Sequence, residues 1–442
     1  MSAIPAGIDT ARGPPMRVPL QHFFVGLGFL LLGGVVGVAN ALDVGRGLVL
    51  TAQLHLLLAG WVCITIMGAM TQFVPVWAGV DLHSRRLARW QLALVGVGLL
   101  GFAAGLLTTR FAVVAAFAPV ILLGFWTFTY NVARTLARVD ALDRTTRHFA
   151  YALAAFVLLT TLGVALAIDF HRPTLARAGL SHWNVKLAHL TLGVFGAVVL
   201  TVLGALYQLG TMFTQTSLHG VDHHLATAEE ALVPAGVLAL ATGRLVDVAP
   251  IAAAGGLAVV IGVGAFALVL ARKLWEMRVP WTPMHRRYVV VAVGLGLWAV
   301  STAPAWAVDP VSSETRFGGP LGAHLIGGVV IVFVIMGTLY HVVPFIVWVE
   351  RYGDRLGFER VPMVDDLYVE RVANVDFVLL VGGNLLLLAW ELFDLSLVVG
   401  LAAMSMVGGG IILFVGNMLH VVHRHGPKGL RAIVFAGDAV AS

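Results

Sequence analysis

Apolar runs long enough to cross a lipid bilayer follow one another along almost the whole chain of 442 residues. A single helix needs about 20 apolar residues to span the hydrocarbon core. Such a span is helical, because lipid offers no partner for unpaired backbone groups. The sequence therefore predicts an all-α polytopic membrane protein with about twelve transmembrane helices. The runs begin near Gln21, Thr51, Trp90, Phe111, His148, Lys186, Ala228, Pro250, Arg287, Gly322, Asn374 and Ser396.

The charged residues support a membrane protein and argue against nucleic acid as a partner, despite a formal net charge of +5. Only 12% of the residues are charged, about half of what a soluble domain usually carries. If the N-terminus is cytoplasmic, 21 of the 28 Lys and Arg residues fall on the cytoplasmic side and 7 on the outer side. The positive-inside rule then predicts two cytoplasmic termini. We expect a multi-pass protein of a prokaryotic plasma membrane, surrounded by lipid.

One motif occurs three times, and its histidines, His55, His189 and His324, lie 134 and 135 residues apart. In the first and third copies a Gly, a polar residue and a Pro follow the histidine at offsets of 13, 17 and 20. The second copy is two residues longer between His and Gly, and it lacks the Pro. The period covers four helices and places the motif on the second, sixth and tenth. Close helix packing is the simpler explanation of the repeated glycines.

This repeat divides the chain. We expect one membrane domain over residues 18–421, built from pseudo-repeats of four helices at about 18–147, 148–286 and 287–421. The flanking residues 1–17 and 422–442 are expected to be cytoplasmic tails. Residues 1–17 lack the pattern of a cleaved signal peptide, so the first span is expected to be retained.

The three repeat histidines are the strongest candidates for a functional site. An imidazole in the hydrocarbon region must be desolvated, and such residues are rare unless they serve a site. Each lies near the start of an even-numbered helix, so all three are expected at similar depth in the outer half of the membrane. We interpret at least one pair as heme or metal ligands. The alternative is a structural role through hydrogen bonds.

The topology and the histidine positions resemble subunit I of the heme-copper oxidases and nitric oxide reductases, and most closely the cbb-type oxidases. This resemblance implies a low-spin heme b between His55 and His324, which supply one axial ligand each. It also implies electron transfer or chemistry of a diatomic gas such as nitric oxide or oxygen. The expected partner is a cytochrome c, a cupredoxin, a quinol or a further subunit. The matching residues are His55, Gly60-Trp61, Gly68-Ala-Met70, His324, Gly337-Thr-Leu-Tyr340 and Pro344.

The same resemblance makes His189 the counterpart of a copper ligand. The second histidine that the family carries on its tenth helix is Gly322 here. The predicted seventh helix, Ala228 to Val248, contains no histidine, and His223 and His224 precede it on the cytoplasmic side. A copper site needs at least three nitrogen ligands. A complete heme-copper centre is therefore not expected, and copper is the less favoured metal.

A second resemblance is to the NnrS-type membrane heme proteins of the nitrosative stress response. It rests on size, helix count and the repeated His-to-Gly-to-Pro pattern, including Pro75-Val-Trp77-Ala-Gly79. Both resemblances favour a heme protein, with an oxidoreductase activity left open. The alternative class is a heme-free transporter or structural membrane protein of the same fold.

Three other residues are weaker candidates. His341 lies 17 residues after His324, about 25 Å along a helix, so the two cannot share one heme. For His341 a hydrogen bond between helices is favoured over a second metal site. Arg46 and Arg316 precede the second and tenth helices. They are equally well explained as partners of heme propionates, since Arg binds carboxylates in a fork, or as ordinary interfacial arginines.

Overall fold

A computed structural model describes residues 14–426, which contain no β-strand. Twelve helices in it are long and apolar enough to cross a membrane, so the predicted fold class is confirmed. Most of the predicted tails, residues 1–13 and 427–442, lie outside the described residues. The helices are α1 (Arg17–Ala41), α2 (Val49–Ala78), α3 (Arg85–Leu107), α4 (Phe111–Leu136), α5 (Arg144–His171), α6 (His182–Thr214), α7 (Val221–Leu245), α8 (Ala249–Trp275), α9 (Pro283–Val308), α10 (His324–Arg355), α11 (Glu370–Leu392) and α12 (Leu397–His425).

Some helices extend beyond their apolar runs, because a helix continues into the polar region while hydropathy marks only its lipid-embedded part. Helix α7 begins at Val221 rather than near Ala228. His223 and His224 therefore lie inside α7, and the prediction that they precede it is wrong. Both are exposed in its first turn, away from the repeat histidines. Helix α12 likewise continues to His425, into the predicted C-terminal tail.

The three motif-bearing helices differ from most of the others in burial. The buried share of the apolar stretch is 83% in α6, 78% in α10 and 56% in α2, against 28% in α4, α11 and α12. Successive helices pack against one another, and α1 contacts α12. The even number of helices brings the described ends of the chain to the same side of the bundle, called here the terminal face. The repeat histidines lie toward the opposite face.

A π-helical segment interrupts each motif-bearing helix at an equivalent place. The segments are His55–Cys63, Leu192–Val199 and His324–Ile331. The π-helix accounts for well under 1% of residues in proteins. Where it occurs, it is frequently found at a functional site. The three copies of the motif therefore share an uncommon backbone conformation as well as a histidine.

A buried polar contact joins the first and third helices of each four-helix unit, near the terminal face. The six side chains represent five residue types, with histidine used twice, and all are 0–1% exposed. The last pair is an ion pair, in which the Asp also accepts a hydrogen bond from Tyr340. The contacts are His22 Nε2 to Gln91 Nε2 at 3.2 Å, His148 Nε2 to Glu229 Oε1 at 3.0 Å, and Arg287 Nη2 to Asp376 Oδ1.

The repeated glycines face these polar side chains. A Cβ atom added to Gly68 or Gly204 would lie 2.6 or 2.5 Å from the Cβ atom of His22 or His148. At Gly337 the corresponding distance to the Cβ atom of Arg287 is 3.1 Å. Two of these distances are shorter than real Cβ contacts, so a side chain there would push the helices apart. The packing interpretation of the glycines is thus confirmed.

We expect Gly204→Ala to destabilise the protein by about 1–3 kcal/mol, because the added methyl group overpacks the α5–α6 contact. Thermal unfolding of the detergent-solubilised protein measures the effect as a lower Tm. Gly416→Ala is the matched control, since Gly416 is exposed on α12 with no atom near its missing Cβ. An equal Tm for the two variants would contradict the packing role of Gly204.

Candidate functional site

The structure brings two of the three repeat histidines together. The ring centres of His55 on α2 and His189 on α6 lie 6.5 Å apart, with an angle of 21° between the ring planes. Both rings are half-buried rather than enclosed. They follow the start of their helices by six and seven residues, so they reach a similar depth from the face opposite the terminal face.

Hydrogen bonds fix the same tautomer in both histidines. The Nδ1 atom of His55 donates to the carbonyl oxygen of Thr51 at 2.8 Å. The Nδ1 atom of His189 donates to the carbonyl oxygen of Leu159, on α5, also at 2.8 Å. A carbonyl can only accept, so each Nε2 atom keeps its lone pair. Metal-binding histidines commonly have this arrangement, in which the second ring nitrogen is held by a carbonyl or carboxylate.

Neighbouring residues leave space for the rings of His55 and His189 and pack against them. A Cβ atom added to Gly163 on α5 would lie 3.0 Å from Cε1 of His189, so this glycine leaves room for the ring. The ring of Phe102 lies 4.9 Å from that of His55 and supplies an apolar wall. A metal–imidazole bond is about 2 Å long. Two imidazoles bound on opposite sides of one metal ion therefore have ring centres roughly 6 Å apart, and the distance between the rings of His55 and His189 is close to this value.

His324 has different partners from the other two histidines. Its Nε2 atom donates to Oδ1 of Asn384 on α11 at 3.1 Å. The amide nitrogen of Asn384 donates to the Leu380 carbonyl at 2.8 Å, which fixes the orientation of the amide. The Nδ1 atom of His324 lies 3.8 Å from a carboxylate oxygen of Glu391. The Nε2 atom is thus engaged, and a heme between His55 and His324 stays a prediction.

Asn384 is the partner that sequence reasoning missed. It lies 60 residues after His324 in a different span, so no local spacing connects the two residues. Gly328 makes room for the contact, since a Cβ atom there would lie 2.8 Å from Oδ1 of Asn384. Only two helical residues, Gly322 and Ala323, directly precede His324, whereas His55 and His189 follow the start of their helices by six and seven residues. The three histidines are equivalent in sequence but not in their surroundings.

The two arginines predicted near a heme are both outside the buried core. Arg46 is exposed in the loop between α1 and α2. Arg316 is half-buried, and its guanidinium donates to the carbonyl oxygen of Ser313 at 2.6 Å. Nothing in these contacts tests a role toward heme propionates, which stays a prediction for both residues.

Arg244, at the end of α7, is a buried cation that contacts the α6 helix two residues after His189. Its side chain is 0% exposed and donates to Oγ1 of Thr191 at 2.8 Å, two residues after His189. Its partners among residues 14–426 are neutral, so its positive charge is not balanced by an acid there. The remaining acceptors are the carbonyl oxygens of Pro310, Thr315 and Arg316. Arg244 therefore links the loop before α10 to the α6 helix by hydrogen bonds.

His341 packs against aromatic rings. Its ring centre lies 4.2 Å from that of Phe213 and 5.9 Å from that of Phe345. The favoured hydrogen bond between helices is not formed by its ring within the described part of the chain. A metal site at His341 stays untested, and these contacts supply no second ligand for one.

One surface group has the composition of a metal site. Ligand atoms of His219, Asp222 and Glu276 all lie within 4.8 Å of one another. Lys273 Nζ already lies 2.8 Å from Asp222 and 2.6 Å from Glu276, and Arg272 lies 2.7 Å from Asp222. The hydrogen bond from Lys273 lowers the pKa of the Glu276 carboxyl. The two cations occupy the place that a metal would need, so we assign this group as an ion-pair network.

The chain matches no protein-family model, and no curated protein is significantly similar to it. The site is therefore interpreted from its own residues.

Proposed function

We propose that this chain is a heme-binding membrane protein in which His55 and His189 would bind the iron of a heme b. The observation that carries the proposal is the proximity of the two rings, whose centres lie 6.5 Å apart and whose Nδ1 atoms each donate to a backbone carbonyl. Both Nε2 atoms remain available as ligands. Two imidazoles on one heme iron give a six-coordinate centre suited to electron transfer.

His189 is favoured over His324 as the second ligand. The Nε2 atom of His324 donates to Asn384, and this bond would have to break before the atom could bind iron. The resemblance to heme-copper oxidases favours the pair His55 and His324 instead. Use of His189 for iron also removes the one histidine available to copper, so copper is not part of the proposal.

The protein's own residues would orient the ligands and balance charge. The carbonyls of Thr51 and Leu159 hold the rings and make them stronger ligands. The buried guanidinium of Arg244 adds positive charge beside α6, which favours an anionic group nearby. Heme, when bound, supplies one-electron chemistry and affinity for diatomic gases. We propose electron transfer or handling of nitric oxide or oxygen, with a redox protein, a quinol or a further subunit as partner.

Absorption spectroscopy of the purified protein tests this proposal. We expect a sharp Soret band with separate α and β bands on reduction, and a pyridine hemochrome count of at least one heme b. A protein that stays colourless after expression with ample heme would overturn the proposal. That outcome would leave a heme-free transporter or structural membrane protein as the remaining class.

A further inference from the structure

A cavity of about 70 Å³ lies where α2, α6 and α10 meet. Residues from all three motif-bearing helices form its wall, with one phenylalanine each from α1 and α5. The wall positions correspond between repeats: Ala69, Ala205 and Thr338 each follow the repeat glycine by one residue. The cavity is therefore a product of the repeat and lies on the side of the histidine pair nearer the terminal face.

The three hydroxyl groups in the wall are already bonded. Thr65 Oγ1 donates to the Trp61 carbonyl and Thr201 Oγ1 to the Ala197 carbonyl, both at 2.7 Å. Thr338 Oγ1 lies 2.9 Å from the hydroxyl of Tyr288. The other wall residues are apolar. A water molecule needs two to four polar partners in a buried site. The hydroxyl groups of Thr65 and Thr201 could only accept a hydrogen bond from it, because their protons are engaged, and almost none of the surface that the wall exposes is polar. The cavity is therefore expected to be dry.

The size of the cavity limits what else it can hold. An apolar cavity of about 150 Å³ stays dry and binds benzene or xenon. At about half that volume, this one has room for a single xenon atom or diatomic molecule. An aromatic ring or a lipid chain is too large. The class of ligand that fits its size and its apolar wall is a small nonpolar gas.

The cavity is distinct from the proposed heme site. Thr65 lies ten residues after His55 on the same helix. Most of this stretch is the π-helical segment, which rises less per residue than an α-helix, so the two residues are roughly 10–12 Å apart along the helix. A gas molecule in the cavity would be too far away to bind a metal held by His55.

We propose that this cavity is a separate binding site for one small nonpolar gas molecule, held between the three motif-bearing helices. Its biological role as a store for gas near the heme rests on the function proposed above. Gas binding itself does not require heme, because the wall consists of protein side chains alone.

Xenon tests the site directly. Crystals of the full-length protein, pressurised with xenon and measured by anomalous diffraction, are expected to show xenon between α2, α6 and α10. Ala205→Leu fills the cavity and is expected to abolish this peak. Ala116→Leu makes the same change at an exposed position of α4 and should leave the peak unchanged. Ala69→Leu fills the cavity from α2 and replaces Ala205→Leu if that variant does not fold.

Three results would overturn the proposal: ordered water in the unpressurised cavity, no xenon in the wild-type cavity, or a xenon peak that survives both filling variants. The heme spectrum is a separate readout. Xenon in a colourless protein would preserve the gas site and reject the heme. A heme spectrum in a protein that binds no xenon would support the heme and reject the gas site.

Discussion

Replacement of either His55 or His189 by alanine is expected to abolish the six-coordinate heme spectrum, whereas His324→Ala should leave it intact. Loss of one axial imidazole converts a low-spin, six-coordinate iron to a five-coordinate one, or causes loss of heme. His324 donates its Nε2 hydrogen to Asn384, so its removal should break a helix–helix hydrogen bond without removing a ligand. Absorption spectra of the oxidised and reduced variants, with the heme-to-protein ratio, measure the effect.

Two additions make this experiment decisive. Imidazole added to His55→Gly or His189→Gly is expected to restore the low-spin spectrum, which a general folding defect would not allow. His341→Ala serves as a control and should leave the spectrum unchanged. His341 lies on the same helix as His324, and its ring packs against Phe213 and Phe345. If His324→Ala lost the spectrum and His189→Ala kept it, the ligand pair would be the one implied by the heme-copper oxidases.

Asp376→Leu is expected to destabilise the protein by about 3–5 kcal/mol, because it leaves the buried charge of Arg287 without its partner. Both side chains are 0% exposed. The guanidinium also lies 4.6 Å from the ring centre of Tyr340, but its remaining hydrogen-bond partners are backbone carbonyls. Thermal or denaturant-induced unfolding in detergent measures the loss, and Arg287→Met alone should lower stability similarly.

The double variant Arg287→Met/Asp376→Leu distinguishes two causes of instability: a buried charge left without its counter-ion, and the loss of the interaction between the two side chains. Replacement of a whole buried ion pair by apolar residues is often neutral or stabilising, so the double variant should be more stable than either single one. Glu359→Ala provides the surface control, since the Arg355–Glu359 pair is more than half exposed. Its loss should cost no more than about 1 kcal/mol. Additive losses in the double variant would contradict the ion-pair explanation.

The number and type of helices could be predicted because hydropathy directly records which segments enter lipid. Helix ends are less predictable. The polar turn that opens α7 carries no hydrophobic signal, so the apolar pattern places His223 and His224 before the helix. The π-helical segments were not predictable either. They depend on how α2, α6 and α10 pack, and no residue type marks them.

The site was predictable in part. The fixed spacing of the repeat identified His55, His189 and His324, because an intramembrane histidine is costly wherever it occurs. The spacing does not predict which two of these histidines lie close together, since that depends on contacts between helices far apart in the chain. The buried pairs such as His148 with Glu229 were missed for a related reason. The first and second units share a histidine at this contact, but their partners differ and the third unit has an Arg–Asp pair, so no residue pattern common to all three units reveals the contacts.

The Arg287–Asp376 contact also constrains how the membrane domain is assembled. A charged residue in an isolated span opposes its insertion, by up to about 2.5–3.5 kcal/mol at the bilayer centre. Arg287 is synthesised as part of α9, and its partner Asp376 is synthesised two helices later, as part of α11. The first four-helix unit has a His–Gln contact at the corresponding place. Its helices bring no unpaired charge of this kind into lipid, whereas in the last unit Arg287 on α9 lacks its partner until α11 has been inserted.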